Sequence, residues 1–164
     1  MKYTLYAILL CFFNHAFCED FIHKNLPIGE KVEIPHSEFY IGSIGSLANY
    51  NTKDGYEHYL LFSKKDNSFR IVINENCRTF SIYLSAINHN YFAISNNYAS
   101  GESIISIYKI EDKEPYVKKV YQTPEYKNER TGWEIKEWTK EYIILTYSKN
   151  KDKISKQIKM ETLK

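Results

Sequence analysis

Four histidines are the side chains of residues 19–164 best suited to bind a metal or to move a proton: His23, His36, His58 and His89. Two ligands meet at one metal when they share a helix face or a tight turn, as in His-x-x-x-His, His-Glu-x-x-His or Cys-x-x-Cys. None of these spacings occurs in the sequence. We therefore predict no metal site and no cofactor.

Candidate nucleophiles are the serines of residues 42–46 (GSIGS) and Cys77. The GSIGS stretch lacks the Gly-x-Ser-x-Gly elbow and the Lys-Ser/Thr pair of a phosphate-binding loop. Its small residues are typical of a strand or bulge where backbones approach closely. Cys77 would need a histidine brought beside it by the fold. Acid–base candidates, all in predicted loops or at strand edges where solvated surface charge is the default interpretation, are Glu111, Asp112, Glu114, Glu129 and Glu134. A hydrolase with a composite site is the least favoured hypothesis, because only the fold sets the separation of such groups.

Aromatic residues carry the stronger signal, since the chain holds 15 Tyr, 9 Phe and 2 Trp. Several lie beside charged residues outside the apolar runs, and aromatic rings with a polar handle are typical of binding surfaces. We predict a binding face formed by Tyr98, Tyr126, Trp133 and Trp138. The alternative is that these rings fill the core of a small β protein.

The first 18 residues predict a secretory signal peptide. Lys2 supplies the positive start, and the apolar run of residues 5–13 is shorter than the roughly 20 residues that span a bilayer. Ala16 and Cys18 are small residues at positions −3 and −1 of a cut before Glu19. We expect a periplasmic or secreted protein, cleaved near Cys18–Glu19, with no stable membrane anchor after processing.

Cysteine content predicts a fold without a disulfide framework. Cleavage after Cys18 leaves Cys77 as the single cysteine of the mature chain, so no intrachain disulfide is expected. Cleavage after Ala16 would retain Cys18, and a Cys18–Cys77 bond would then become available. The mature protein must in either case be held together by its hydrophobic core.

Composition and charge narrow the class of protein. The formal net charge of the whole chain is only +2, which argues against nucleic acid as a partner, because a basic surface supplies most of that affinity. Residues 19–164 have the size of one domain. Abundant Tyr and Ile favour β structure.

The elements that must position these residues are predicted to be about ten short strands. Phe80, Ile82 and Leu84 alternate with polar positions, the period of a strand with one buried face. Three hairpins are expected, over residues 57–67, 89–101 and 140–153, each beginning with a polar pair and a Tyr. The apolar runs 59–62 and 142–145 predict strands covered on both faces. Residues 19–36 are expected to form an extended lead-in.

Helix is the alternative in two places. Thr131 and Glu134 fit a capping box, and Ile135, Trp138 and Tyr142 recur at helical spacing. Residues 123–125 would allow one helical turn with Pro124 at its first position. The predicted fold is therefore an all-β antiparallel meander, closed into a barrel or a two-sheet sandwich, with at most one or two short helices.

These observations together predict a non-enzymatic protein-binding protein. An exported, near-neutral β chain without a catalytic motif is typical of an immunity or inhibitor protein, which neutralises a toxin or enzyme by steric occlusion. The expected partner is a protein. The alternative is a small-molecule or glycan-binding β module that stacks a ligand ring on Trp133 or Trp138.

Overall fold

The computed structural model describes residues 21–26, 29–44, 57–75, 79–85, 87–88, 90–97, 103–113, 116–125, 132–149 and 152–163. Within these ranges the chain forms twelve strands, a 3₁₀ turn at Met160–Thr162 and no α-helix. The strands are β1 (Phe21–Asn25), β2 (Lys31–Glu33), β3 (Phe39–Ile44), β4 (Glu57–Ser63), β5 (Phe69–Glu75), β6 (Thr79–Ser85), β7 (Tyr91–Asn97), β8 (Ser103–Ile110), β9 (Val117–Gln122), β10 (Trp133–Trp138), β11 (Tyr142–Lys149) and β12 (Asp152–Lys159). The prediction of a mostly antiparallel β protein is confirmed.

The strands divide into three antiparallel sheets. The N-terminal sheet has the order β2-β3-β4-β5, the central sheet β1-β6-β7-β8-β9, and the C-terminal sheet β10-β11-β12. None of the three closes into a barrel within the described ranges, so the barrel alternative is wrong. The strands separate into three sheets of three to five, which is below the size of roughly ten strands at which open twisted sheets tend to curl or split.

The lead-in over residues 19–36 is more regular than expected. It contains β1, which pairs with β6 at an edge of the central sheet, and β2, which pairs with β3. Backbone hydrogen bonding thus incorporates this segment into two different sheets.

The three predicted hairpins are confirmed as β4–β5, β7–β8 and β11–β12. They do not occupy equivalent places, however. The first joins the third and fourth strands of the meander β2-β3-β4-β5, whereas the second and third join the second and third strands of the meanders β6-β7-β8-β9 and β10-β11-β12. The single meander expected from the sequence is therefore three consecutive meanders.

Two hydrophobic clusters use opposite faces of the central sheet. Ile82 and Leu84 of β6 pack with Ile41 and Leu61 of the N-terminal sheet. Tyr83 of β6 packs instead with the C-terminal sheet. Because successive side chains of a strand point to opposite faces, the alternating sequence of β6 supplies both clusters.

The two helical alternatives are both strands or their extensions. The segment with the capping-box pattern contains β10. Thr123 continues the pairing after β9, since its N–H donates to the Ile105 carbonyl at 3.0 Å and its Oγ1 accepts from the Ile105 N–H at 3.0 Å. Both bonds hold Thr123 against β8 in place of starting a helix.

Candidate functional site

Trp133 and Trp138, two of the four predicted binding residues, lie in the core. They are 5% and 0% exposed and belong to the cluster between the central and C-terminal sheets. The other two, Tyr98 and Tyr126, lie outside the described residues. The structure therefore does not present the two tryptophans as a surface, and core packing accounts for them.

A β-bulge explains why both tryptophans of β10 face inward. Ile135 pairs with Leu145 and Glu137 pairs with Ile144, so Lys136 is the extra residue. One inserted residue reverses the alternation beyond it. Trp133, Ile135 and Trp138 are consequently all buried, although strict alternation would place Trp138 on the face opposite to the other two. Ile135 and Trp138 are three positions apart, which is also the spacing that suggested a helix in the sequence.

The core environment of the two indoles differs. Trp133 Nε1 donates to the Pro124 carbonyl at 3.2 Å, and its ring lies 5.2 Å from that of Tyr147. Trp138 Nε1 is buried and has no hydrogen-bond partner within the described ranges. Neither arrangement positions a group for chemistry on a ligand.

A different set of aromatic residues lies on the outer face of the N-terminal sheet. Tyr40, Phe62 and Phe69 form a cross-strand row, because Tyr40 pairs with Phe62 and Phe62 pairs with Phe69. Phe69 is 49% exposed, and the rings of Phe62 and Phe69 lie 6.1 Å apart at 52°. We call these three residues the aromatic face.

Two lysines stand over this face. Lys31 Nζ lies 3.8 Å from the centroid of Phe62, and Lys64 Nζ lies 5.3 Å from that of Tyr40. Such cation–π contacts contribute about 0.5–1 kcal/mol each at exposed sites. Lys64 also forms an ion pair with Glu33, and Lys31 Nζ donates to Asn67 Oδ1 at 3.4 Å. These contacts bring both cations onto the rings of the aromatic face.

A cleft of about 230 Å³ lies at Phe69, the one residue that it shares with the aromatic face. Its lining is mixed, with apolar, hydroxyl and carboxylate groups: Phe39, Leu61, Ser63, Asp66, Ser68, Phe69 and Tyr116. Hydrogen bonds from Ser68 and Ser63 lower the pKa of Asp66, which is therefore ionised at neutral pH. The cleft combines an aromatic wall with a hydrogen-bond acceptor.

Catalytic candidates from the sequence have ordinary structural roles where they are described. Glu134 accepts from Thr146 Oγ1 at 3.0 Å and lies 3.9 Å from Lys153. Glu111 lies 3.9 Å from Lys109. Cys18, Cys77, His89, Glu114 and Glu129 lie outside the described residues. Among the residues that are described, no three His, Cys, Asp or Glu side chains gather as metal ligands.

Sequence reasoning missed the aromatic face because it expected the run 59–62 to be covered on both sides. β4 is an inner strand of its sheet, but only the inner face of that sheet packs on the central sheet, through Leu61. The alternation of Phe39, Tyr40, Ile41 and Gly42 was the signal that could have shown a strand with one exposed face.

Comparisons with protein-family models, curated proteins and solved structures find no match. Within the described part of the chain, no helix is long and apolar enough to cross a membrane.

Proposed function

We propose that this chain is an exported, non-enzymatic protein-binding protein whose partner docks on the aromatic face. The observation that supports this most directly is the row of Tyr40, Phe62 and Phe69 with Lys31 and Lys64 over its rings. Aromatic side chains are enriched at protein interfaces, where each buries a large area.

The shape of the face favours a protein over a small ligand. Small molecules bind in concave pockets that surround most of their surface. The aromatic face runs across three strands of one sheet, a geometry that suits a second macromolecular surface. Because Lys31 and Lys64 already contact rings, binding would require little further ordering of the face, and that saves conformational entropy.

The mode of action that fits these features is neutralisation by steric occlusion. Such an inhibitor needs a rigid scaffold with aromatic anchors and a charged rim, and it needs no reactive group. The signal-peptide pattern of residues 1–18 supports action in the periplasm or outside the cell, against a toxin or enzyme.

Glycan or small-molecule binding is the second candidate, supported by the cleft beside Phe69. An aromatic wall with the Asp66 carboxylate and the Ser63 and Ser68 hydroxyls nearby offers stacking and hydrogen bonding to a polyhydroxylated ring. The volume of about 230 Å³ suits a single such ring.

The finer architecture is also a proposal. We infer that the expected two-sheet sandwich has a third layer, with the central sheet packed between the N-terminal and C-terminal sheets. The two clusters on opposite faces of the central sheet support this arrangement.

Capture from an envelope fraction tests the function with matched variants. We expect the native chain and Ile87→Ser to retain the same partner, because Ile87 is exposed at 38% and lies between β6 and β7 of the central sheet, whereas the aromatic face is on the N-terminal sheet. Phe69→Ser is expected to weaken capture at least tenfold while the melting temperature changes little, since Phe69 is half exposed.

Three outcomes test the proposals. If Phe69→Ser and Ile87→Ser lose capture of the partner to the same extent, docking on the aromatic face is contradicted. Calorimetric binding of wall-derived sugars, abolished by Asp66→Asn, would favour the glycan candidate. A mature N-terminus other than one near Glu19 in the envelope fraction, measured by mass spectrometry, would contradict the proposed export.

A further inference from the structure

The three meanders repeat the same strand plan about every 50 residues. Their second strands begin at Phe39, Tyr91 and Tyr142, and their third strands begin at Glu57, Ser103 and Asp152. The N-terminal and central meanders each continue into a fourth strand, β5 and β9. The C-terminal sheet has three strands in the described ranges, so the fourth position, beside β12, is open there.

The open edge of β12 is long, and one exposed apolar side chain lies on it. β12 spans eight residues, all paired with β11 on one side. Ile154 and Ile158 lie on the same face of the strand, because they are four residues apart. Ile158 is 6% exposed and packs in the core, whereas Ile154 is 45% exposed. A strand added beside β12 would cover Ile154.

The hydrogen-bonding groups of this edge can be assigned from the register. The Met160 N–H donates to the Glu141 carbonyl at 2.8 Å, which directs Met160 toward β11. Backbone groups alternate between the two sides of an antiparallel strand. The N–H groups of Lys153, Ser155, Gln157 and Lys159 therefore point away from β11, along the open edge.

The charges on β12 indicate which kind of strand would pair with its open edge. It carries Lys153, Lys156 and Lys159 against one acidic residue, Asp152. All three lysines have neighbours within the chain: Glu134 lies 3.9 Å from Lys153, Glu161 lies 3.6 Å from Lys159, and Lys156 Nζ lies 5.3 Å from the centroid of Tyr121. Both ion pairs are largely exposed, and such pairs contribute about 1 kcal/mol or less, so the lysines can turn to the side chains of an added strand. Lysines on an edge strand oppose pairing with a second copy of the same strand, because like charges would meet. They favour an acidic strand.

We infer that β12 is a docking edge that accepts an extended acidic segment of a partner protein as the fourth strand of the C-terminal sheet. Main-chain hydrogen bonds would supply affinity, and the lysines would set the preference for acidic side chains. This edge belongs to a different sheet from the aromatic face, so it does not depend on the proposed function.

An acetylated and amidated octapeptide of alternating Glu and Val is a suitable probe for the full chain. We expect saturable binding, with hydrogen-exchange protection gained at Lys153, Ser155, Gln157 and Lys159. A peptide of alternating Lys and Val is expected to bind at least tenfold more weakly.

Two variants separate edge pairing from a general charge effect. Ser155→Pro removes an outward N–H without interrupting the β11 ladder, so binding should weaken at least tenfold in a folded protein. Lys153→Glu should also weaken binding, and Lys136→Glu, on β10 of the same sheet, is the control that should leave it unchanged.

The inference is overturned if the acidic peptide does not bind at millimolar concentration, or if Ser155→Pro binds it as well as the native chain. A dimer in sedimentation that Ser155→Pro dissociates would show that the occupant is a second copy, which also overturns it. Should Ser155→Pro fail to fold, Lys153→Glu against Lys136→Glu decides the question.

Discussion

The ring of Phe62 occupies the space beside Gly42 that a side chain on residue 42 would need. A Cβ atom added to Gly42 would lie 2.8 Å from Phe62 Cε2 and 3.1 Å from Lys31 Cγ. The same lysine places its Nζ 3.8 Å from the centroid of the Phe62 ring. Glycine at this position therefore lets a ring and a cation pack together on the outer face of the sheet.

Gly42→Ala is expected to displace Phe62 and to separate Lys31 from its ring. The two nearest obstacles are side chains and the third is the Glu30 carbonyl oxygen at 3.3 Å, so a shift of the Phe62 ring must relieve most of the clash. The free energy of unfolding should fall by about 1 kcal/mol, the size of an exposed cation–π contact. Ring-current shifts of the Lys31 ε-methylene protons report the contact directly. The variant Phe62→Leu gives the chemical shifts of these Lys31 protons when no ring is present. If the Lys31 protons of Gly42→Ala keep the chemical shifts of the native protein, the prediction is contradicted.

Gly132→Ala is expected to destabilise the protein by about 1–3 kcal/mol through overpacking. A Cβ atom there would overlap Ser103 Oγ and lie 2.7 Å from Ser103 Cβ. Ser103 cannot simply turn away, because its Oγ donates to the Trp133 carbonyl at 3.0 Å. Urea unfolding measures the change, and Ser103→Gly should recover part of the loss in the double variant. Strict additivity of the two substitutions would show that the clash is not the cause.

Trp138→Phe is expected to cost less stability than Trp133→Phe, by about 0.5–1.5 kcal/mol, the net contribution of one hydrogen bond. Both variants lose similar apolar area in the same core cluster. Trp133→Phe also leaves the Pro124 carbonyl without its donor, whereas Trp138→Phe removes an indole N–H that has no partner among the described residues. Chemical denaturation of the two single variants provides the test. Equal losses, or the reverse order, would refute it.

Stability should fall as the pH rises from about 10 to 12, because of Tyr83. Burial raises the pKa of Tyr83 to about 12 from its ordinary 10.0, and the Glu134 carboxylate adds to this rise. The unfolded chain therefore loses the proton first, and the stabilisation present below pH 10 disappears as the pH approaches 12. At 1.36 kcal/mol per pH unit, the loss is about 2–3 kcal/mol.

Tyr83→Phe isolates this effect from the other tyrosines and lysines that titrate in the same range. Between pH 8, 10 and 11, the urea midpoint of the native chain should fall more steeply than that of the variant. Parallel curves for the two proteins would rule out Tyr83 as the source.

Strands and hairpins were predictable because their signals are local. The alternation of Phe80, Ile82 and Leu84 gave β6, and polar turns between apolar runs gave the β4–β5, β7–β8 and β11–β12 hairpins. A turn and the pleat of its flanking strands depend on residues a few positions apart. The short lead-in strands were missed, since β2 has only three residues and pairs with a strand that lies beyond a turn.

The candidate site was not predictable, because exposure of a strand face depends on distant elements. Phe62 and Trp138 are both large aromatic residues in strands, yet Phe62 lies on an outer face and Trp138 is fully buried. A bulge at Lys136 turned Trp138 inward, and no sheet covers the outer face of β4 among the described residues.

The sequence by itself determined that the chain would form antiparallel strands joined by hairpins, since hydrophobic alternation and turn residues act over short distances. The tertiary structure alone decided how those strands divide into three sheets, which aromatic rings face solvent, and which edge has no neighbouring strand among the described residues. The physical reason is that burial follows from how sheets far apart in sequence pack on one another, and one inserted residue reverses the outcome for every side chain beyond it.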